Sequence, residues 1–325
     1  MIVPKYWSES KTKKIANGQQ FTIKRFGWSD ENELDAKKHA DSRLSEAVKT
    51  LEKEGDVRRI DHKTSYNGAE GIPIREEVIS THQDVVISRN SYGALCLNTP
   101  DVLFADIDFE HNASFTVSVI AFVLLSSLAP VAAWIYMSWV PLVVGVIIAL
   151  ILTPILAGLI NKVIQWFNGG PEEKALEQIK RVSSENAELH LRLYRTPMGY
   201  RVLLMNDTYS PASDAAINLL KDLQSDNIYI QMCKNQDCFR ARVSPKPWRI
   251  GVDRLKPNPG VWPIKAERLR ERMRWVGTYE KKARSYSSCH YVLDLGSDKV
   301  HKKAEFVRKI HDDMCRVRKS TFEIA

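Results

Sequence analysis

Charge is missing from a long stretch of this chain: between Asn112 and Asn161 there is no Asp, Glu, Lys or Arg. One membrane span takes roughly 20 apolar residues, so the run is too long for a single helix and suits two. A buried helical hairpin in a soluble protein is disfavoured by the same length. The N-terminus, "MIVPKYWSESKTKK", lacks the apolar core of a signal peptide. Cysteine is scarce: Cys96, Cys233, Cys238, Cys289 and Cys315 are scattered and odd in number. That excludes a dense disulfide framework and favours a reducing, cytoplasmic setting for the soluble parts. Also absent are a Walker-type glycine loop, a Ser-His-Asp set and any internal repeat.

Within the uncharged run, Trp134, Tyr136 and Trp139 cluster beside Ser138 and Pro141. Aromatic side chains favour the headgroup level, which places the hairpin turn there and the spans near Ser114–Ala133 and Val140–Ile160. Pro130 and Pro154 are expected near helix ends, where a missing backbone donor matters least. Lys162, Lys174, Lys180 and Arg181 follow the second span, whereas the turn carries no charge. The positive-inside rule then predicts that both soluble parts, and with them both termini, face the cytoplasm. Four segments follow: a cytoplasmic α+β region at 1–111, the hairpin at 112–161, the rest of the α+β core at 162–253, and a basic helical region at 254–325.

Charge is also uneven outside the run. Residues 1–111 hold 16 basic and 19 acidic side chains, and residues 170–325 hold 30 and 20. The basic half predicts a polyanionic partner, whether nucleic acid, nucleotide phosphate or anionic lipid, unless it is merely a solvated surface.

Before the run, "FTIKRFGWS" reads as a strand. Asp30 to about Glu54 reads as a helix with Leu34, Ala40, Leu44, Ala47 and Leu51 on its apolar face. "DVVISRN", "GALCLN" and "VLFADIDF" are three strands separated by turns. After it come a helix from Pro171 to about Glu188, strands "LHLRLYRT" and "YRVLLMN", and a helix "SPASDAAINLLKDL" capped by Ser210. "IYIQMCKNQ" and "FRARVS" read as further strands. With the hairpin lifted out, the order from "VLFADIDF" onward is that of a split βαβ unit. The expected fold class is α+β: a ferredoxin/RRM-like cytoplasmic sheet, interrupted by a two-helix transmembrane hairpin.

Asp106 and Asp108 share a strand face because the side-chain period is two, and Glu110 follows if the strand continues. Paired carboxylates repel, and a cation relieves them. Mg²⁺ takes one or two carboxylates together with phosphate oxygens and water. A D-x-D ending an apolar strand therefore suits Mg- or Mn-assisted phosphoryl or nucleotidyl transfer, the alternative being the solvated face of a strand. Downstream, Arg240, Arg242, Lys246 and Arg249 form a phosphate-binding candidate set, with Arg195, Arg201 and Trp248 as accessories. The same cations could instead rest on anionic headgroups.

These motifs resemble the archaeo-eukaryotic primase and primase-polymerase superfamily. "LFADIDF" is similar to its hhhDhD strand, which implies Asp106 and Asp108 as metal ligands. "YRTPMGYRV" loosely resembles its strand-turn-strand motif, with Tyr200 or Arg201 where the family has a nucleotide-contacting His. "FRARVSPKPWR" resembles the family's late basic segment. The resemblance implies a third acidic ligand, for which Asp253 is the candidate. The features "RFGWSD", "SRNSYGALCLNTPDVLFADIDF" and "HDDMCR" also resemble an uncharacterised bacterial transmembrane family, which implies a place in the bacterial inner membrane and carries no established activity.

Cys233, Cys238, Cys289 and His290 include zinc-ligand types, but only the first pair has usable spacing, and buried inert cysteines are the expectation. His311-Asp312 reads as a capping or packing pair. Lys265 to Arg284, with Trp275 and Tyr279 interleaved, reads as a helix whose basic face lies on nucleic acid or a bilayer. The predicted function is a membrane-tethered domain for metal-dependent nucleotide or nucleic-acid binding, or for nucleotidyl transfer of primase-polymerase type. The alternatives are an inactive binding or scaffold version of it, and an anionic-lipid-binding domain.

Overall fold

A computed structural model describes residues 4–61, 73–109, 114–167, 169–258, 260, 262–319 and 321–325. Glu110 and Asn112 lie outside the described residues. In chain order the elements begin with β1 (Tyr6–Ala16), β2 (Gln19–Ser29), α1 (Glu33–Glu54), β3 (Glu77–His82), β4 (Val85–Arg89), β5 (Leu95–Thr99) and β6 (Phe104–Asp108). The apolar stretch forms α2 (Phe115–Ser126), α3 (Leu128–Ile135) and α4 (Val140–Phe167), and α5 (Gly170–Glu185) follows. The remainder comprises β7 (His190–Thr196), β8 (Gly199–Leu204), α6 (Asp214–Asp222), α7 (Asn227–Gln236), β9 (Phe239–Arg242), α8 (Leu269–Ala283), β10 (Tyr286–Ser287), β11 (His290–Gly296), α9 (Lys302–Cys315) and β12 (Glu323–Ile324).

Two compact units result: Asp108–Arg181, and Met1–Ile107 together with Val182–Ala325. The first contains two helices long and apolar enough to cross a membrane, Phe115–Ile135 and Val140–Phe167. Their mean hydropathies are 2.2 and 2.8, and only about a tenth of each is buried. A core helix of a soluble protein would hide such a surface. Small residues form the seam between them: Ala121, Ala129, Ala149 and Ala157 are buried, and a Cβ on Gly145 would stand 2.5 Å from the Ala129 methyl. Close approach of this kind is how apolar helices associate without a hydrophobic drive. The second helix runs seven residues past the expected end at Ile160, enclosing Lys162, and Pro154 lies in its interior.

The larger unit is mixed α and β. β1 and β2 pair antiparallel along their whole length, and α1 covers them through Phe21, Ile23, Ala47 and Leu51. Gly27 sets the spacing: a Cβ there would stand 2.1 Å from the Ala40 nitrogen of α1. One four-stranded sheet has the order β3-β4-β5-β9, and every residue of β4 is buried. Its continuous "VVISR" run is what burial on both faces requires. The other has the order β11-β7-β8-β6, with β8 wholly buried at its centre. β6, β8 and β7 are neighbours as in a split βαβ unit. The strand expected to close that unit, β9, pairs instead with β5, and β11 takes the edge beside β7.

Three local expectations change. "IYIQMCKNQ" is helical, because Asp226 caps α7 by accepting from Ile228 N and Tyr229 N. Tyr229, Ile230, Cys233 and Gln236 then fall on one buried face. The cap of α6 is Ser213, which accepts from Ala216 N, while Ser210 accepts through its carbonyl from the Ser213 hydroxyl. α8 turns Trp275 and Tyr279 inward, their rings stacked 5.0 Å apart in a core with Ile250 and Leu255. The two aromatics interleaved with basic residues along the chain are therefore packing residues, not part of a binding face.

Candidate functional site

Arg201 on β8 reaches across to its sheet neighbour β6 and meets Asp106. Its Nε donates to Asp106 Oδ1 at 2.8 Å and its Nη2 approaches Oδ2 at 3.4 Å. Its Nη1 donates to the Arg242 carbonyl at 2.8 Å. The guanidinium is buried, whereas the Asp106 side chain is about a third exposed. Burial works against the charge on Arg201, but the Asp106 carboxylate, with Cys289 and Cys315 beside it, outweighs that and holds the group well above the ordinary arginine range. Asp108, two residues along β6, is exposed. A hard dication at the D-x-D would have to share Asp106 with a guanidinium already seated on both of its oxygens. The donor set is a poor fit for Mg or Mn.

Directly behind Arg201 lies a group that spacing alone did not assemble. Cys289, in the turn between β10 and β11, meets His311 and Cys315, one helical turn apart on α9. All three are fully buried, and their donor atoms lie within 4.8 Å of one another. Cys289 Sγ is 3.9 Å from His311 Nε2, and Arg201 Nη1 is 3.4 Å from the same nitrogen. The other ring nitrogen, Nδ1, faces Asp312 Oδ1 at 3.1 Å. Asp312 is itself fixed by the Tyr194 hydroxyl at 2.6 Å, Arg308 Nη1 at 2.9 Å and Arg192 Nη2 at 3.4 Å. With Nδ1 facing a carboxylate, Nε2 is the ring nitrogen on the side of Cys289 and Arg201.

The electrostatics single out one thiol. Burial opposes a thiolate at Cys289, yet the Cys315 thiol, the His311 imidazole and Arg201 together hold its pKa well below the usual thiol range. Burial opposes the imidazolium at His311 as well, and Cys289 and Asp312 overcome it and raise its pKa. Cys315 moves the other way, pushed well above the ordinary value by burial and by the neighbouring Cys289 charge. Cys238, with no such cluster, is pushed up to about 12, chiefly by burial, and Cys96 and Cys233 also shift upward. Cys233 and Cys238 flank the end of α7 and do not join Cys289.

The basic candidates divide into two groups. Arg240 is buried and donates to Glu76 Oε2 at 2.5 Å. Arg242 donates to the carbonyls of Ser244 and Ala325 at 2.7 and 3.2 Å. Both hold the fold together. Arg195 donates to the carbonyls of Thr196 and Gly199 at its own hairpin turn. Asp253 is exposed and paired with Lys256 at 3.2 Å, outside the cluster. Lys246, Trp248 and Arg249 lie on a surface turn. There the half-exposed Trp248 ring has Lys246 at 5.7 Å, Arg254 at 5.2 Å and Tyr92 edge-on at 5.2 Å. A separate cavity of about 430 Å³ is lined by Arg308, Lys309, Asp312, Asp313, Arg316, Arg318 and Lys319.

Part of the cysteine-histidine centre had a signal in the sequence: His311 and Cys315 stand four apart, one face of a helix. Cys289 was visible as a ligand type but grouped with Cys233, Cys238 and His290, since only the fold brings it to His311 and Cys315. Comparison with family models, curated proteins and solved structures finds no match.

Proposed function

We propose that the chain is a membrane-anchored, non-catalytic binding protein of the inner membrane, with both termini cytoplasmic. Its soluble unit is a ferredoxin/RRM-related module of primase-polymerase ancestry that holds a phosphate-bearing polyanion. The observation that carries the non-catalytic reading is the Arg201–Asp106 pair. A carboxylate clamped by a buried guanidinium is a structural ion pair, and releasing it for metal would strand a charge in the core. The β6-β8-β7 neighbourhood supports the RRM-like lineage. The two outward-apolar helices support the anchor. The Trp248 ring between Lys246 and Arg254 supports the polyanion: an aromatic face for stacking beside two cations for phosphate.

The test uses detergent-purified protein. Single-stranded nucleic acid should bind with a steep salt dependence, and Lys246→Ala with Arg254→Ala should flatten the slope by about one unit per lost phosphate contact. Nucleotide with Mg²⁺ or Mn²⁺ should show no binding that Asp108→Ala removes. Metal-dependent nucleotide binding lost in Asp108→Ala would restore the catalytic reading. Binding to anionic liposomes with none to nucleic acid would move the phosphate to lipid headgroups.

A further inference from the structure

We propose that Cys289, His311 and Cys315 form a binding site for one thiophilic d10 metal ion, zinc(II) or copper(I), that fastens α9 to the turn before β11. The ligand types come first. Two sulfurs and an imidazole nitrogen are the soft and borderline donors that select zinc and copper(I) over magnesium, manganese or calcium. Their separations come next. With metal–sulfur bonds of about 2.3 Å and metal–nitrogen bonds of about 2.0 Å, donors around one ion stand roughly 3.5–4.5 Å apart. The Cys289–His311 separation is 3.9 Å, and all three donor atoms lie within 4.8 Å of each other.

The surroundings are those of a ligand set. Metal-bound histidines give their second ring N–H to a carboxylate, which fixes tautomer and ring orientation. Asp312 does this at 3.1 Å, and it is held in turn by Tyr194, Arg192 and Arg308. Such a three-fold brace is more than a packing histidine needs. Arg201 Nη1 would give up its 3.4 Å approach to Nε2 at little cost, because its shorter bond, 2.8 Å to the Arg242 carbonyl, remains. Among the described residues no fourth His, Cys, Asp or Glu joins the group. Three donors suit copper(I) directly. Zinc would complete its shell with a water.

Full-length protein in detergent, stripped with chelator under reducing conditions, is given zinc(II), cobalt(II) or, anaerobically, copper(I), then gel-filtered and assayed for metal. About one ion per chain should be retained, and cobalt(II) should give a thiolate-to-metal charge-transfer band. Cys289→Ser and Cys315→Ser should abolish retention, while Cys96→Ser and Cys233→Ser keep it. Asp312→Asn, a positioning change, should weaken affinity about 10–100-fold and leave the cobalt band in place. Should the ligand variants fail to fold, wild type decides. Folded, reduced wild-type protein that retains neither zinc nor copper(I) overturns the proposal, as does retention unaltered in Cys289→Ser.

Discussion

Each arm of the Arg201 guanidinium ends inside the protein, on Asp106 or on the Arg242 carbonyl, and this separates the two aspartates of the D-x-D. Asp106→Asn would leave a buried cation without its counter-charge. The usual cost of a broken buried pair is about 3–5 kcal/mol; with Asp106 a third exposed, about 2–4 kcal/mol is the expected loss. Asp108→Asn, at an exposed position, should change stability by less than about 0.5 kcal/mol. Chemical denaturation followed by tryptophan fluorescence measures both, and equal effects would contradict the structural role. The Glu76–Arg240 pair allows a complementary measurement. Either single replacement by Met should destabilise by about 3–5 kcal/mol, and the double Met variant should recover most of it. The sequence showed these arginines as cations but not their partners. Glu76 lies 164 positions before Arg240, and no local pattern joins them. Candidate phosphate ligands and fold-stabilising arginines look alike until burial distinguishes them.

At the scale of elements, the strands and helices with clear periodicity were legible, and the exceptions have physical causes. α7 was obscured by β-favouring Ile228, Tyr229 and Ile230, a propensity that the Asp226 cap and the helical burial of its inner face override. β9 was recognised as a strand but not its neighbour, because pairing is set by the whole sheet. α1 rests on β2 through Gly27, where backbone meets backbone with Ala36 and Ala40 fully buried. Gly27→Val should drive the helix off the hairpin and destabilise by about 2–4 kcal/mol, visible as a lowered thermal midpoint in circular dichroism. The apolar hairpin has the same kind of contact at Gly145. Gly145→Leu should splay the two helices, and cysteine crosslinking across the seam, near Ala121 and Ala149, should fall while helix content stays constant.

For the molecule as a whole, the uncharged run gave the two-helix stretch directly, because so long a stretch without one charge is hard to bury in a soluble fold. It did not give the end of the second helix, since Lys162 reads as a boundary and its long stem can lie along a helix. A reporter active only in the periplasm should signal when inserted at Met137 and stay silent at Asn17 and Ala325. Signal at Asn17 would end the proposed topology. Alkaline extraction should leave the chain in the membrane pellet, and release into the supernatant would make the apolar helices an internal feature of a peripheral protein.

Both four-stranded sheets join chain from before the apolar hairpin to chain from after it: β6 with β8, and β5 with β9. That has a consequence in time. Ribosomes add roughly 5–20 residues per second, so roughly 7–30 s separate the emergence of β5 from that of β9. During that interval β5 and β6, apolar and without their later partners β9 and β8, must wait, while the hairpin is completed and becomes available to the bilayer. Neither sheet can close before the apolar helices exist, so their insertion has the first opportunity. In a stalled-ribosome series, β5 and β6 should stay protease-sensitive when synthesis halts just after Phe167. Resistance of β6 should not appear before Leu204 has cleared the ribosome, nor that of β5 before Arg242 has.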